Sequence, residues 1–214
     1  MTFIASISDN ELLTALVPEV ASLAPECPSQ IMEDAIKRAM REFFSKSRCW
    51  RQRGVTLATT EAGVTSYTFN PPANAELLQI HAAWDGEDEI DPELPGEDDD
   101  SYPDETSTTF RVAVSADGSE IEIRPAPTNA DTVIKGTVSY TLADNADSFP
   151  AWVFREYRSE LAYGAASRLV AQPAKPWSNP GLYKAFRDEF EKAISEASNV
   201  AGPVRRRPLR VTPW

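Results

Sequence analysis

Ile31-Met32-Glu33-Asp34-Ala35-Ile36-Lys37-Arg38-Ala39-Met40-Arg41-Glu42-Phe43-Phe44 decides the first half of the fold. Ile31, Ala35, Ala39 and Phe43 form one row, and Met32, Ile36, Met40 and Phe44 run beside it. Apolar residues three and four apart lie on one side of a 3.6-residue turn, so the spacing predicts an amphipathic helix of about four turns or more. Its other side carries Glu33, Asp34, Lys37, Arg38 and Arg41, and Trp50 follows shortly after its end.

Upstream, Ser8-Asp9-Asn10-Glu11 has capping-box spacing ahead of Leu12, Leu13 and Leu16, which predicts a short helix that stops near Pro18. Downstream of Gly54 the apolar period falls from 3.6 to 2. Val55/Leu57, Val64/Tyr67/Phe69, Leu77/Leu78/Ile80, Phe110/Val112/Val114 and Ile121/Ile123 alternate between turn residues, and a further strand is predicted over about 132–142. Ser115-Ala116-Asp117-Gly118-Ser119 reads as a hairpin turn because Gly118 takes positive φ without steric cost. Residues 91–107, rich in Pro, Asp and Glu and nearly free of apolar side chains, read as an exposed loop.

Helical spacing returns after Ser148, a candidate N-cap, and Pro150, which suits a first turn. Phe154, Tyr157, Leu161, Ala165 and Leu169 form the expected buried row, and Gly164, Ala165, Ala166 and Ser167 allow a neighbouring helix to come close. Pro173-Ala174-Lys175-Pro176-Trp177-Ser178 breaks that helix. Asn179-Pro180 starts another, with Leu182, Tyr183, Phe186, Phe190, Ile194 and Ala197 on one side, and Gly202-Pro203 ends it. The fold class predicted is α+β. N- and C-terminal helices (1–53 and 144–201) form a helical bundle with an inserted antiparallel β module (54–143) bearing an acidic loop (85–107), and an extended basic C-terminal tail (202–214) follows.

The chain has 214 residues, 42% of them hydrophobic, which suffices for a real core. Its apolar runs are far shorter than the roughly 20 residues of a bilayer span, and no basic start followed by an apolar run opens it, so a soluble protein that stays in the cytoplasm where it is made is expected. Cys27 and Cys49 sit at the two ends of the predicted helix, about 30 Å apart at about 1.5 Å per residue, and read as free thiols. The net charge of −12 is uneven. No Lys or Arg occurs between Arg53 and Arg111, where Asp85, Glu87, Asp88, Glu89, Asp98, Asp99 and Asp100 stand among other acids, whereas Arg205, Arg206, Arg207 and Arg210 follow the last acid, Glu196.

These patterns exclude most catalytic devices. A Ser–His–Asp or Cys–His arrangement would need the single histidine, His81, which falls in a predicted strand. The acidic stretch lacks the alternating ligands and obligatory glycine of a calcium loop, no cysteine pair has zinc spacing, and the nine glycines form no phosphate-cradling loop. No catalytic residue, cofactor or metal is therefore expected, and an acidic chain with one short Arg cluster releases few counterions on nucleic acid. The tail combines Arg205, Arg206, Arg207 and Arg210 with Leu209, Val211 and Trp214, and its three prolines keep it extended. That chemistry suits a docking segment, with a disordered basic end as the plainer alternative.

Three stretches resemble phage head-to-tail adaptor (connector) proteins. They are Leu16-Val17-Pro18 with Ala24-Pro25-Glu26-Cys27-Pro28, then Ala39-Met40-Arg41-Glu42-Phe43-Phe44 leading to Trp50, and then Leu169 with Pro173-Ala174-Lys175-Pro176-Trp177-Ser178-Asn179-Pro180 ahead of Tyr183-Lys184-Ala185-Phe186. The resemblance implies a structural virion protein, assembled in the host cytoplasm. It further implies a homo-oligomeric ring, commonly of twelve copies, between the portal protein above and a tail or nozzle protein below, around a channel for DNA. It makes Arg205, Arg206, Arg207, Leu209, Arg210, Val211 and Trp214 the portal-docking tail. An acidic body agrees with a channel through which DNA slides without specific binding. The alternatives are a tail completion or other tail-ring protein and, from another class, a small metal-dependent enzyme.

Overall fold

The computed structural model describes residues 10–86, 88–92, 111–115 and 119–201. Asn10–Leu12 forms strand β1, Leu13–Leu16 a 3-10 turn, Val17–Leu23 helix α1 and Ser29–Ser47 helix α2. Eight strands follow: β2 (Arg51–Thr59), β3 (Ser66–Thr68), β4 (Ala75–Asp85), β5 (Asp88–Pro92), β6 (Arg111–Val114), β7 (Glu120–Arg124), β8 (Val133–Leu142) and β9 (Ser148–Pro150). Helices α3 (Ala151–Val170) and α4 (Pro180–Ala201) complete the described chain. The chain divides into two compact units. Of the described residues, one takes those up to Trp50 with Asn70–Leu78 and Tyr140–Ser198, and the other takes those within Arg51–Phe69, Gln79–Ser139 and 199–201.

A helical bundle with one inserted antiparallel module does not describe this fold. It is mixed α+β but strand-rich, with nine strands beside four α-helices among the described residues. The helical unit itself rests partly on strands, since β1 pairs antiparallel with β9, Asn10 opposite Pro150 and Leu12 opposite Ser148. The physical reason lies in Pro150, which holds φ at −58 and biases Phe149 before it toward extended backbone, so the segment ahead of α3 offers an edge and not a cap.

That pairing also corrects two expected helix starts. Glu11 lies in β1, not in a first helical turn, and Ser8 lies outside the described residues. Helix α1 begins later with Pro18 in its first turn, so the proline expected to stop a helix starts one, where its missing N–H is not needed. Ser148 does not cap α3: it belongs to β9, and its hydroxyl accepts a hydrogen bond from Asn74 Nδ2 at 2.8 Å.

The larger sheet has seven strands in the order β2-β8-β4-β5-β6-β7-β3. Ile121 and Ile123 of β7 are fully buried while Glu120 and Arg124 are exposed, the alternation of a half-covered sheet. The sheet is not purely antiparallel, because β5 pairs parallel to β6 with Asp91 opposite Arg111. The start of the expected acidic loop 85–107 is likewise a hairpin arm: β5 pairs with β4 through Ala83 and Ile90, Gly86 turns the chain at φ 63, and Ile90 is 2% exposed. Residues 93–107, Phe110 and residues 116–118 of the expected hairpin turn lie outside the described residues.

In the helical unit the α2 rows behave as their spacing predicts: Met32, Ala35, Ile36, Ala39, Met40, Phe43 and Phe44 are buried, with Ile31 at the margin. Leu161, Ala162, Gly164, Ala165, Ala166, Leu169 and Val170 of α3 are buried almost all round, as a central helix requires. Leu161, Ala165 and Leu169 of its expected row are fully covered, and Phe154 and Tyr157 are partly so. Gly164 allows the closest approach, since a Cβ there would fall 2.6 Å from the Phe190 ring of α4. The α4 row differs from expectation in its first half. Phe190, Ala193, Ile194 and Ala197 are buried, whereas Leu182 and Tyr183 are exposed and Phe186 is half-buried, stacked on Tyr163 with ring centroids 5.4 Å apart.

Candidate functional site

The helical unit concentrates its buried charge on one carboxylate. Glu42 stands on α2 beside the buried Phe43, with its side chain 16% exposed. Arg168 in the last turn of α3 and Arg187 on α4 both donate to it, and Lys46, one turn further along α2, places Nζ 2.7 Å from Oε1. Lys46 and Arg187 also share Glu191 of α4. Glu42→Lys46 and Arg187→Glu191 are each i,i+4 pairs, so α2 and α4 each present charges one turn apart to the same seam, to which α3 adds Arg168.

Burial alone would raise the pKa of Glu42, but hydrogen bonds from Arg187 and Lys46 and the charges of Arg187 and Arg168 outweigh it and hold the carboxyl at about 2. The hydrogen bond to Glu42 is the main cause that keeps Lys46 and Arg187 protonated more firmly than usual. Three cations around a carboxylate that stays ionised form a lock between helices, with no group poised to exchange a proton near neutrality. Burial pushes the Tyr140 and Tyr157 hydroxyls up to about 12, so both stay neutral.

A second cluster in the same unit is shallower. Arg41 bridges Glu76 at 3.1 Å and also pairs with Asp144, while Lys37 Nζ donates to the Asp144 carbonyl at 3.1 Å. Asp144 N in turn donates to Glu76 Oε1 at 3.1 Å. Lys37 and Arg41, which the sequence places on the polar side of α2, thus pin the turn after β8 to that helix, yet exposure limits what each pair contributes.

None of the sequence-predicted portal-docking residues, Arg205, Arg206, Arg207, Leu209, Arg210, Val211 and Trp214, lies among the described residues. The last described residue before them, Ala201, accepts a hydrogen bond from Arg51 Nη1 of β2 at 2.6 Å. His81 lies half-buried on β4. Cys27 and Cys49 form no disulfide, and burial raises the Cys27 thiol, which leaves it a weak nucleophile. Among the described residues no group of three or more His, Cys, Asp or Glu is placed to hold a metal, and no helix is long and apolar enough to cross a membrane.

The sequence signalled the helix rows but not the seam. Glu42 and Lys46 stand one turn apart on α2, and only the approach of α3 and α4 makes Glu42 their common acceptor.

The described charges of this seam lock one helix to another. Residues 10–211 match the family model of the SU10 adaptor protein, and the chain belongs to that family of phage head-to-tail adaptors. No curated protein matches the chain. As a member of a family of structural phage adaptors, it is a component of the virion's head and tail assembly.

Proposed function

We propose that the chain forms a homo-oligomeric ring, twelvefold in its commonest form, that joins the portal protein to a tail or nozzle protein and leaves a channel for the genome. The observation that carries the reading is the family match over residues 10–211, which takes in both helical segments, the strands between them and most of the tail. The net charge of −12 supports a channel that DNA crosses without being held. The helical unit supplies the stiffness that a joint needs, through the Glu42 seam and the Gly164–Phe190 contact.

In this reading the tail is the portal anchor. Arg205, Arg206, Arg207 and Arg210 set the rate of encounter with acidic groups, and Leu209, Val211 and Trp214 set the residence time in apolar niches. Each tail binds weakly, and the ring multiplies the weak contacts into firm attachment. Co-sedimentation of the purified full chain with portal-containing heads tests the reading. Saturable binding to such heads supports it, and equal recovery with and without portal counts against it.

A further inference from the structure

We infer that copies of this chain meet through two different patches of the helical unit, the exposed first turns of α4 on one copy seating against β1 and α1 of the next. The inference rests on the ring reading and names the surfaces that join one copy to its neighbour.

The apolar row of α4 runs past the part of the helix that is covered. Phe190, Ala193, Ile194 and Ala197 are buried, but earlier in the same row Leu182 and Tyr183 are 39% and 44% exposed, and Phe186 is half-buried with Tyr163 of α3 stacked on it. Large apolar side chains scattered singly over a surface are ordinary. Adjacent ones beside an aromatic pair have the composition of a contact surface.

The second patch begins at Leu12 of β1, 57% exposed, and continues over the 3-10 turn and α1 through the exposed Thr14, Pro18, Ser22 and Pro25. Residues 12–25 hold one charged side chain, Glu19, which is already paired with Arg158 of α3 at 2.5 Å. A quarter of the whole chain is charged, so a stretch this long without an unpaired charge departs from the rest of the sequence. Among the described residues of the helical unit, Leu12, Leu182 and Tyr183 are the exposed large apolar side chains.

The two patches do not cover each other within one copy. Strand β1 pairs with β9, which leads into the start of α3 at Ala151, whereas Tyr163 stands twelve residues further along that helix, roughly 18 Å at about 1.5 Å per residue. A closed ring requires each copy to offer one surface to the neighbour on one side and a different surface to the neighbour on the other, while a two-fold dimer uses one surface twice. Two apolar patches at separate ends of α3 meet the first requirement. The occupant of each is therefore a second copy of this chain, which brings the other patch to it.

The test uses the full chain mixed with purified portal protein and viewed by electron microscopy, with three variants beside the parent. Leu182→Glu and Leu12→Lys each place a charge on one patch, and the third variant carries both substitutions in one chain. Each single variant should keep the parent's thermal midpoint, because its side chain is exposed, and should lose closed rings. The double variant should regain them, because the new cation on one copy then faces the new carboxylate on the next. Parent-like rings from either folded single variant overturn the inference, and so does a folded double variant that stays without rings. Should a variant not fold, Tyr183→Glu and Thr14→Lys, at exposed positions of the same patches, take the place of the first pair. If the parent itself forms no ring on portal, the ring reading falls and the inference with it. If the parent and both single variants form rings alike, only the two patches lose their role.

Discussion

Arg187 of α4 grips Glu42 of α2 with both prongs of its guanidinium, Nη1 to Oε2 at 3.1 Å and Nη2 to Oε1. A two-pronged pair fixes orientation as well as distance, so it sets the angle at which α4 meets α2. Glu42→Gln leaves Arg187 and Arg168 facing a neutral amide and should cost about 2 kcal/mol, the scale of a lost charge-assisted hydrogen bond. Urea unfolding of the two proteins at pH 7 measures the gap.

The same pair predicts a pH dependence of definite sign. The Glu42 pKa is about 2 in the fold against 4.5 ordinarily, so its stabilising contribution is complete above about pH 5 and is lost as pH falls through 4.5 toward 2. The stability gap between parent and Glu42→Gln should shrink over that window. A gap that stays constant from pH 7 to pH 3 means the carboxylate is not held by its three cations.

Gly164→Ala should destabilise the helical unit. The added methyl falls 2.6 Å from two ring atoms of Phe190, a side chain with no solvent exposure and hence no room to retreat. Overpacking of this kind costs about 1–3 kcal/mol, against the gain that alanine normally brings to a helix interior. Thermal unfolding decides: a midpoint at or above the parent's means α3 and α4 are further apart than described.

Phe190→Ala and Phe186→Ala should differ although one helical turn separates them. Phe190 is fully buried against Phe43 and Gly164, so its truncation should cost about 3–5 kcal/mol. Phe186 is half-buried with one stacked partner, Tyr163, so its loss should cost about 1 kcal/mol. Chemical denaturation of both variants measures the difference, and equal losses contradict the burial pattern of α4.

What could be read from the sequence followed the strength of each periodic signal. The α2 rows from Met32 to Phe44 and the β7 alternation of Ile121 and Ile123 are long or clean enough that one burial pattern satisfies them. Short segments whose form is set by a distant partner could not be read. Asn10–Leu12 carries helix-start spacing but finds its backbone partners in Ser148–Pro150, more than a hundred residues away. Asp88–Pro92 is too acidic to resemble a strand, yet Ile90 buries one side and two strands flank it. The α4 row overran because spacing shows which side a residue faces and not how far the neighbouring helix extends. Glu42 was legible as a residue, but its role depends on Arg168 and Arg187, 126 and 145 positions on.

Removal of residues 202–214 should leave folding intact and block assembly. The Glu42 seam and the buried core of the helical unit lie wholly before residue 202, so the thermal midpoint should move little. Complementation of an adaptor-deficient phage with the truncated chain should yield filled or emptied heads without tails. Tailed, infectious particles from that chain would show the segment to be dispensable.

Electron microscopy of the purified full chain mixed with purified portal protein tests the adaptor reading most directly. The expected image is a second closed ring of this chain stacked coaxially on one end of the portal, with an open axial channel. Portal rings that remain bare at saturating concentrations of the folded chain contradict it.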